Sequence, residues 1–498
     1  MIKRVFLLLL LALVLSCSQA PEQPEQVILA TVGDREITLD EFIKRAEYTI
    51  RPSYVKGNHY IHRKMILNSL LAEKMLALEA GTDNELYRNQ EFQNYIQGRK
   101  EQAMRRWLFR EEAISKVELA PEEIQNAYRW AGREYEIAYF TVPTKDIADS
   151  VQAMLNDPQV NFEDVFREIG GEGQLPTQEV TWQREGNDEI IEALYSDSLN
   201  VGQIVGPVRA GQGMYTTMKI LGWNESVAIT DEQIRLRTND VKERLSRRQA
   251  EKIYEQFVLD VMKGKTVEFD ENTFYKVIQV VKPFYVKTQD EKRESINARF
   301  WDQKPPEVDI EGIENEFEQI KDQPLLTIEG ETWTVGRLRN EMARHPLVFR
   351  QRNINDVNFP RQFKLAVVDL IRDKYLTDVA YERNYDQVNV VRQYTNMFKD
   401  QALALYHQQE YLRQQQSPYN FYKDYIKVIE EYMNDYVDSL QTKYSDQVSI
   451  NMDIFEDVEL TRIDMFVIEK NVPYPVAVPM FPHITTDNRL DYGRDSSK

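Results

Sequence analysis

One pattern occurs twice in this chain, and it constrains the fold more than any other feature. The stretch "LATVGDREITLDEFIKRA" (Leu29–Ala46) reads as a short strand, a tight turn at Gly33-Asp34, a second strand and an amphipathic helix with Asp40 and Glu41 in its first turn. The stretch "LLTIEGETWTVGRLRNEM" (Leu325–Met342) repeats the order, with Glu329-Gly330 as the turn. Downstream, "LLAEKMLALEA" (Leu70–Ala80) matches "LIRDKYLTDVA" (Leu370–Ala380), keeping Leu70 with Leu370, Lys74 with Lys374, Leu76 with Leu376 and Ala80 with Ala380. A helix and strand at Glu251–Phe274 resemble those at Glu430–Phe455. Two copies of one mainly helical module follow, the first carrying extra sequence at about Leu119 to Asn224.

That extra sequence reads as strand, two helices, strand, short helix and a closing hairpin, a compact α+β unit. Its first strand lies in "GREYEIAYFTVP" (Gly132–Pro143), which is apolar on both faces and therefore expected to be covered on both. A charged segment, 286–323, separates the two copies. Asn471–Lys498 holds four prolines followed by polar residues, and extended or disordered chain is expected there.

The N-terminus opens with Lys3 and Arg4, an apolar run from Val5 to Leu15, then Ser16 and Cys17 before polar sequence. The run is too short to span a hydrocarbon core of about 30 Å, so it reads as a signal peptide. "LVLSC" resembles the lipobox of bacterial lipoproteins, and this resemblance implies cleavage before Cys17 and lipid attachment to its thiol. Ser18 resembles the default that sends such proteins to the outer membrane. Cys17 is the single cysteine in the chain, so no intramolecular disulfide can form. The net charge of -19 argues against nucleic acid and against adhesion to anionic lipid by charge.

"ATVGDREITLDEF" and "ILNSLLAEKMLALEAG" resemble the N-terminal chaperone domain of the SurA and PrsA family of extracytoplasmic foldases. "LAPEEIQNAYRWA" and "SLNVGQIVGPVRAGQGMYTTMKILG" resemble the start and the closing hairpin of that family's parvulin-type peptidyl-prolyl isomerase domain. The fold class so implied is α+β: duplicated, mostly helical chaperone modules with one inserted parvulin-like domain. Its layout is a signal peptide (1–16), a tether (17–26), the first module (27–118), the parvulin-like domain (119–224) and a helix and strand completing the first module (225–285). The charged linker (286–323), the second module (324–415), its completing helix and strand (416–475) and a proline-containing polar tail (476–498) follow.

The resemblance implies a membrane-tethered periplasmic chaperone without cofactors. Its partners would be unfolded or extended polypeptides, outer-membrane barrel precursors among them, and a membrane reached through the lipid. Parvulin-type sites usually hold two histidines, one in the strand corresponding to "IAYFTV" and one after the glycine of the closing hairpin. The five histidines here are His59, His62, His345, His407 and His483, so the inserted domain has none. Tyr139 stands in the first slot and Tyr215 in the second.

A weak or inactive isomerase that keeps a peptide-binding surface is therefore expected, with Tyr139, Phe140, Trp182, Met214 and Tyr215 as candidate lining residues; each could equally be core. The alternatives are an active isomerase, since tyrosine hydroxyls can donate and accept hydrogen bonds, and a scaffold lipoprotein with one fixed partner. His59 and His62 lack a third ligand for a metal, and no phosphate loop or Ser-His-Asp arrangement can be placed.

Overall fold

The computed structural model describes residues 23–57, 59–211, 213–286, 311–351, 353–421, 423–461 and 465–491. The signal segment and Cys17 lie outside the described residues, as does most of the charged linker.

The chain begins with a hairpin, β1 (Ile28–Val32) and β2 (Arg35–Thr38), then α1 (Leu39–Glu47), α2 (Tyr60–Ala80) and α3 (Gln90–Glu112). Next come α4 (Pro121–Trp130), β3 (Arg133–Val142), α5 (Lys145–Leu155), α6 (Phe162–Glu168), β4 (Thr177–Thr181), α7 (Asp188–Tyr195), β5 (Ile204–Arg209), β6 (Tyr215–Glu225) and α8 (Asp231–Met262). The remainder holds β7 (Val267–Phe269), α9 (Glu271–Tyr285), α10 (Glu311–Ile320), the hairpin β8 (Pro324–Ile328) and β9 (Glu331–Thr334), α11 (Val335–Arg344), α12 (Phe359–Glu382), α13 (Asn389–Gln414), α14 (Asn434–Tyr444) and β10 (Val448–Ile450). The fold is α+β, mostly helical with small antiparallel sheets. It divides into one unit of residues 1–108 and 261–498 and another of 109–260.

In the first unit, both hairpins run into helices that begin in the same way. Thr38 and Thr334 accept hydrogen bonds from the backbone N–H groups of Glu41 and Arg337, capping α1 and α11. Glu329 and Gly330 both have positive φ, as a type I′ hairpin turn requires, whereas in the first hairpin Gly33 alone does. Each hairpin gains a third strand, but not from the expected place. The strand expected to complete the first module, β7, pairs with β8 of the second hairpin, with Glu268 opposite Thr327. The strand expected to complete the second module, β10, pairs with β1, with Thr31 opposite Ser449. Each partner is a three-residue strand satisfying an open sheet edge, and so short a strand carries too little pattern to specify which edge it joins.

Leu29, Phe42, Leu70, Leu71, Leu403, Leu440 and Phe455 lie in one buried cluster where α2 packs along α13. A second cluster holds Val277, Leu325, Trp333, Phe359, Phe363 and Leu370. Of the expected linker, residues 311–320 form α10, whose Phe317 is buried in that second cluster. A net of charges is enclosed beside the first core. Lys74 Nζ lies 3.1 Å from both Glu41 Oε1 and Asp400 Oδ2, and Arg35 also pairs with Asp400. Arg45 and Glu73, both almost wholly buried, form two hydrogen bonds of 2.8 Å.

The expected proline-containing tail is extended, without regular secondary structure as far as Asp491, yet it is part of the core. Val478, Phe481 and Ile484 are buried, and Ile468 bridges Val476. This segment is a strap across the helices, and its apolar residues outweigh the polar composition that suggested a free tail. The ring of His483, on the strap, lies 4.5 Å from that of Tyr425, tilted to it, and 6.0 Å from that of Phe481, edge to face. Burial pushes its imidazole down to about 4.

The unfolded value is about 6.5, so as the pH falls the unfolded chain takes the proton first. The stability present above about 6.5 is lost toward about 4. A loss of about 2 kcal/mol is expected between about pH 7.5 and about pH 5, read by urea unfolding. His483→Phe should remove that share; an unaltered pH slope in the variant would assign it elsewhere.

Candidate functional site

The second unit contains a four-stranded antiparallel sheet in the order β4-β3-β6-β5. The central strand β3 is covered on both faces, as expected from its composition. Tyr135 and Ile137 point to a cluster with Trp182, Ile191, Leu194 and Met218 on the α7 side. Ala138, Phe140 and Val142 point the other way, to Val151, Phe162 and Val165 of α5 and α6. Tyr195 anchors α7, its hydroxyl sharing one proton between the Arg133 carbonyl at 2.8 Å and that of Val180 at 3.0 Å. Burial pushes this phenol above its ordinary range.

The five candidate lining residues do not form one surface. Tyr139 and Trp182 belong to the α7 side, with Tyr139 half-buried at its margin and Trp182 in the core. Phe140 is buried on the opposite side, its ring 4.9 Å from Phe162, and Tyr215 packs at the margin of that same cluster. Met214, in the turn before β6, is 39% exposed. Tyr139 and Tyr215 therefore stand on opposite faces. The register agrees: Tyr139 is opposite Met218 and Val142 opposite Tyr215, so β6 turns Tyr215 and Met218 to different sides. Strand alternation alone separates Tyr139 from Phe140, a signal already present in the sequence.

On the Tyr139 side the structure brings together residues not singled out from sequence. Thr141 and Thr216 are paired across β3 and β6, their hydroxyl oxygens 2.9 Å apart. Val205 and Val208 both reach this face because β5 shifts register between them. The shift turns at Gly206, where φ is +102° and a Cβ would meet the Thr216 carbonyl oxygen at 2.7 Å. With Ile190 of α7, these residues make a half-buried apolar margin next to two hydroxyls. Such a surface can hold a small apolar ring and hydrogen-bond an adjacent amide. Among the described residues named for this face, Tyr139, Thr141, Ile190, Val205, Val208 and Thr216, none is a histidine, carboxylate or thiol, the usual general acids and bases.

On the far flank of α7 lies a cavity of about 380 Å³ whose lining includes Trp182, Ile191, Leu245, Glu192 and Arg248. Arg248 and Glu192 form an ion pair there. In the first unit, the rings of His59 and His62 are 5.4 Å apart. Among the described residues, no group of three metal-ligating side chains occurs.

No family model and no curated protein matches the chain. Among solved structures it is similar to the foldase protein PrsA from Streptococcus pneumoniae str. Canada MDR_19A. That similarity has 14% identity and a TM-score of 0.18 and covers 54% of this chain and 97% of the other.

Proposed function

We propose that the protein is a membrane-tethered periplasmic chaperone that holds extended polypeptides, with residues 119–224 as an inserted parvulin-like domain of weak or absent isomerase activity. The observation that carries this reading is the face around Tyr139: an apolar, half-buried margin beside the Thr141–Thr216 hydroxyls, a surface suited to binding, with none of the histidines usual in parvulin-type sites. Uncatalysed rotation about an X-Pro bond takes tens of seconds or more, so binding alone leaves that bond slow. The β4-β3-β6-β5 order, with helices on both faces, supports the parvulin-like assignment. The matching order of strand, strand and threonine-capped helix in the two hairpins supports a duplication. Tethering through a lipid on Cys17 and sorting to the outer membrane rest on the sequence alone.

In a prolyl tetrapeptide assay, the full chain is expected to accelerate isomerisation by no more than about twofold over the uncatalysed rate, and Tyr139→Phe should leave that rate unchanged. A large acceleration that Tyr139→Phe abolishes would establish the active isomerase instead. Light scattering should show the full chain suppressing aggregation of several unrelated unfolded proteins. Suppression of none of them would favour a scaffold lipoprotein with one fixed partner.

A further inference from the structure

The strap is held in an unusual way. Six buried polar side chains reach it from the helices, and each donates to a main-chain carbonyl. In chain order along the strap, Gln102 bonds the Tyr474 carbonyl at 3.0 Å, Arg99 that of Val476 at 2.8 Å, and Arg45 that of Met480 at 2.9 Å. Gln408 bonds His483 at 3.0 Å, Ser69 bonds Thr485 at 3.4 Å, and Asn68 bonds Asp487 at 3.0 Å. Gln102 also accepts from the Tyr474 N–H at 2.9 Å, so its amide pairs with the strap as a neighbouring strand would. All six donors are at most 4% exposed.

Burying so many polar groups is costly unless each finds a partner, and here the partners are supplied by peptide backbone, which every polypeptide carries. Of the strap's own side chains, Val478, Phe481 and Ile484 are buried at intervals of three, and Pro479, Pro482 and Thr485, each one position further on, are buried with them, the Thr485 hydroxyl donating to Asn434 at 2.8 Å. A period of three is that of polyproline II, which presents one face every third residue.

The geometry points to a polypeptide-binding groove in the first unit. Its ligands are extended, proline-containing segments of client proteins with an apolar residue at every third position, and residues 474–487 of the chain itself are the resident occupant. Clients compete with the strap for the same carbonyl-directed donors. This inference rests on the chaperone reading above and adds the place and chemistry of the grip.

The test uses the full chain and two synthetic peptides: a fluorescent one with the sequence of residues 472–487, and an unrelated one with prolines and an apolar residue at every third position. Hydrogen exchange followed by mass spectrometry, in excess unrelated peptide, should show amides of 474–487 exchanging at least about fivefold faster while those of β3 are unchanged. Unaltered exchange of the strap would overturn the proposal. Phe481→Ala, which loosens the strap, should bind the fluorescent peptide at least about tenfold more tightly than the native chain does. Equal binding by a folded variant would also overturn it, and if the variant does not fold, the exchange result on the native chain decides. Strap exchange without suppression of aggregation would retain the groove and refute the chaperone reading; suppression without strap exchange would do the reverse.

Discussion

Asp400→Ala is expected to lower stability by about 3–5 kcal/mol, the scale of breaking a buried ion pair from one side. Asp400 on α13 is 2% exposed and takes both Lys74 of α2, itself 1% exposed, and Arg35 of β2. Removing it leaves the buried Lys74 against Glu41 alone and takes from Arg35, 18% exposed, its carboxylate partner. Urea unfolding of the variant at neutral pH measures the loss. The triple replacement of Lys74 by Met, Asp400 by Leu and Glu41 by Gln should recover part of it, because Lys74 then goes together with both of its carboxylates and only the partly exposed Arg35 remains. Lys374, the residue matched to Lys74 in the second copy of the pattern, provides the contrast. It pairs with Asp378 one helical turn away at 3.0 Å and is 30% exposed, so Lys374→Ala should cost at most about 1 kcal/mol. Equal losses at Asp400 and Lys374 would refute the distinction.

Gly98→Ala is expected to cost about 3 kcal/mol, at the upper end of the range for overpacking. Gly98 lies on α3 where the Tyr474 hydroxyl donates to the Arg344 carbonyl at 2.9 Å. An added methyl would overlap that carbonyl and, in the Tyr474 side chain, both the hydroxyl oxygen and a ring carbon, and the carbonyl is backbone that cannot swing aside. The neighbouring Arg99 is similarly confined, its guanidinium 3.7 Å from the centre of the Phe398 ring. Gly186→Ala is the control, since nothing lies within 4 Å of a Cβ there. Thermal unfolding of the two variants compares them directly, and a Gly98→Ala protein as stable as Gly186→Ala would show that α3 and the strap can separate at little cost.

What the sequence discloses here is what short-range chemistry decides. The two hairpins, the positions of their turns at Gly33 and Gly330 and the succession of strands and helices between Tyr135 and Trp223 are all local, and they are found where the pattern places them. The partners of β1 and β8 are not local; the three-residue strands β10 and β7 could be told apart only by their surroundings. The strap was obscured for another reason: apolar residues every third position with intervening prolines match neither the strand nor the helix period. Arg45, Arg99 and Gln102 read as ordinary surface residues because nothing in their own helices announces the backbone they bind. At the Tyr139 face, the separation from Phe140 was legible by alternation, whereas Thr216, Val205 and Val208 needed the register of β5 and β6.

The pairing of β1 with β10 also sets an order in time. Ala30 cannot meet Ile450 until nearly all of the intervening chain has been made, so the first hairpin emerges early with one edge bare and waits for its third strand. An unpaired edge of this kind invites other strands. Until its last stretch arrives, a nascent copy of this protein is therefore itself an unfinished chain in need of protection, exposed to the same hazard from which it is proposed to shield others.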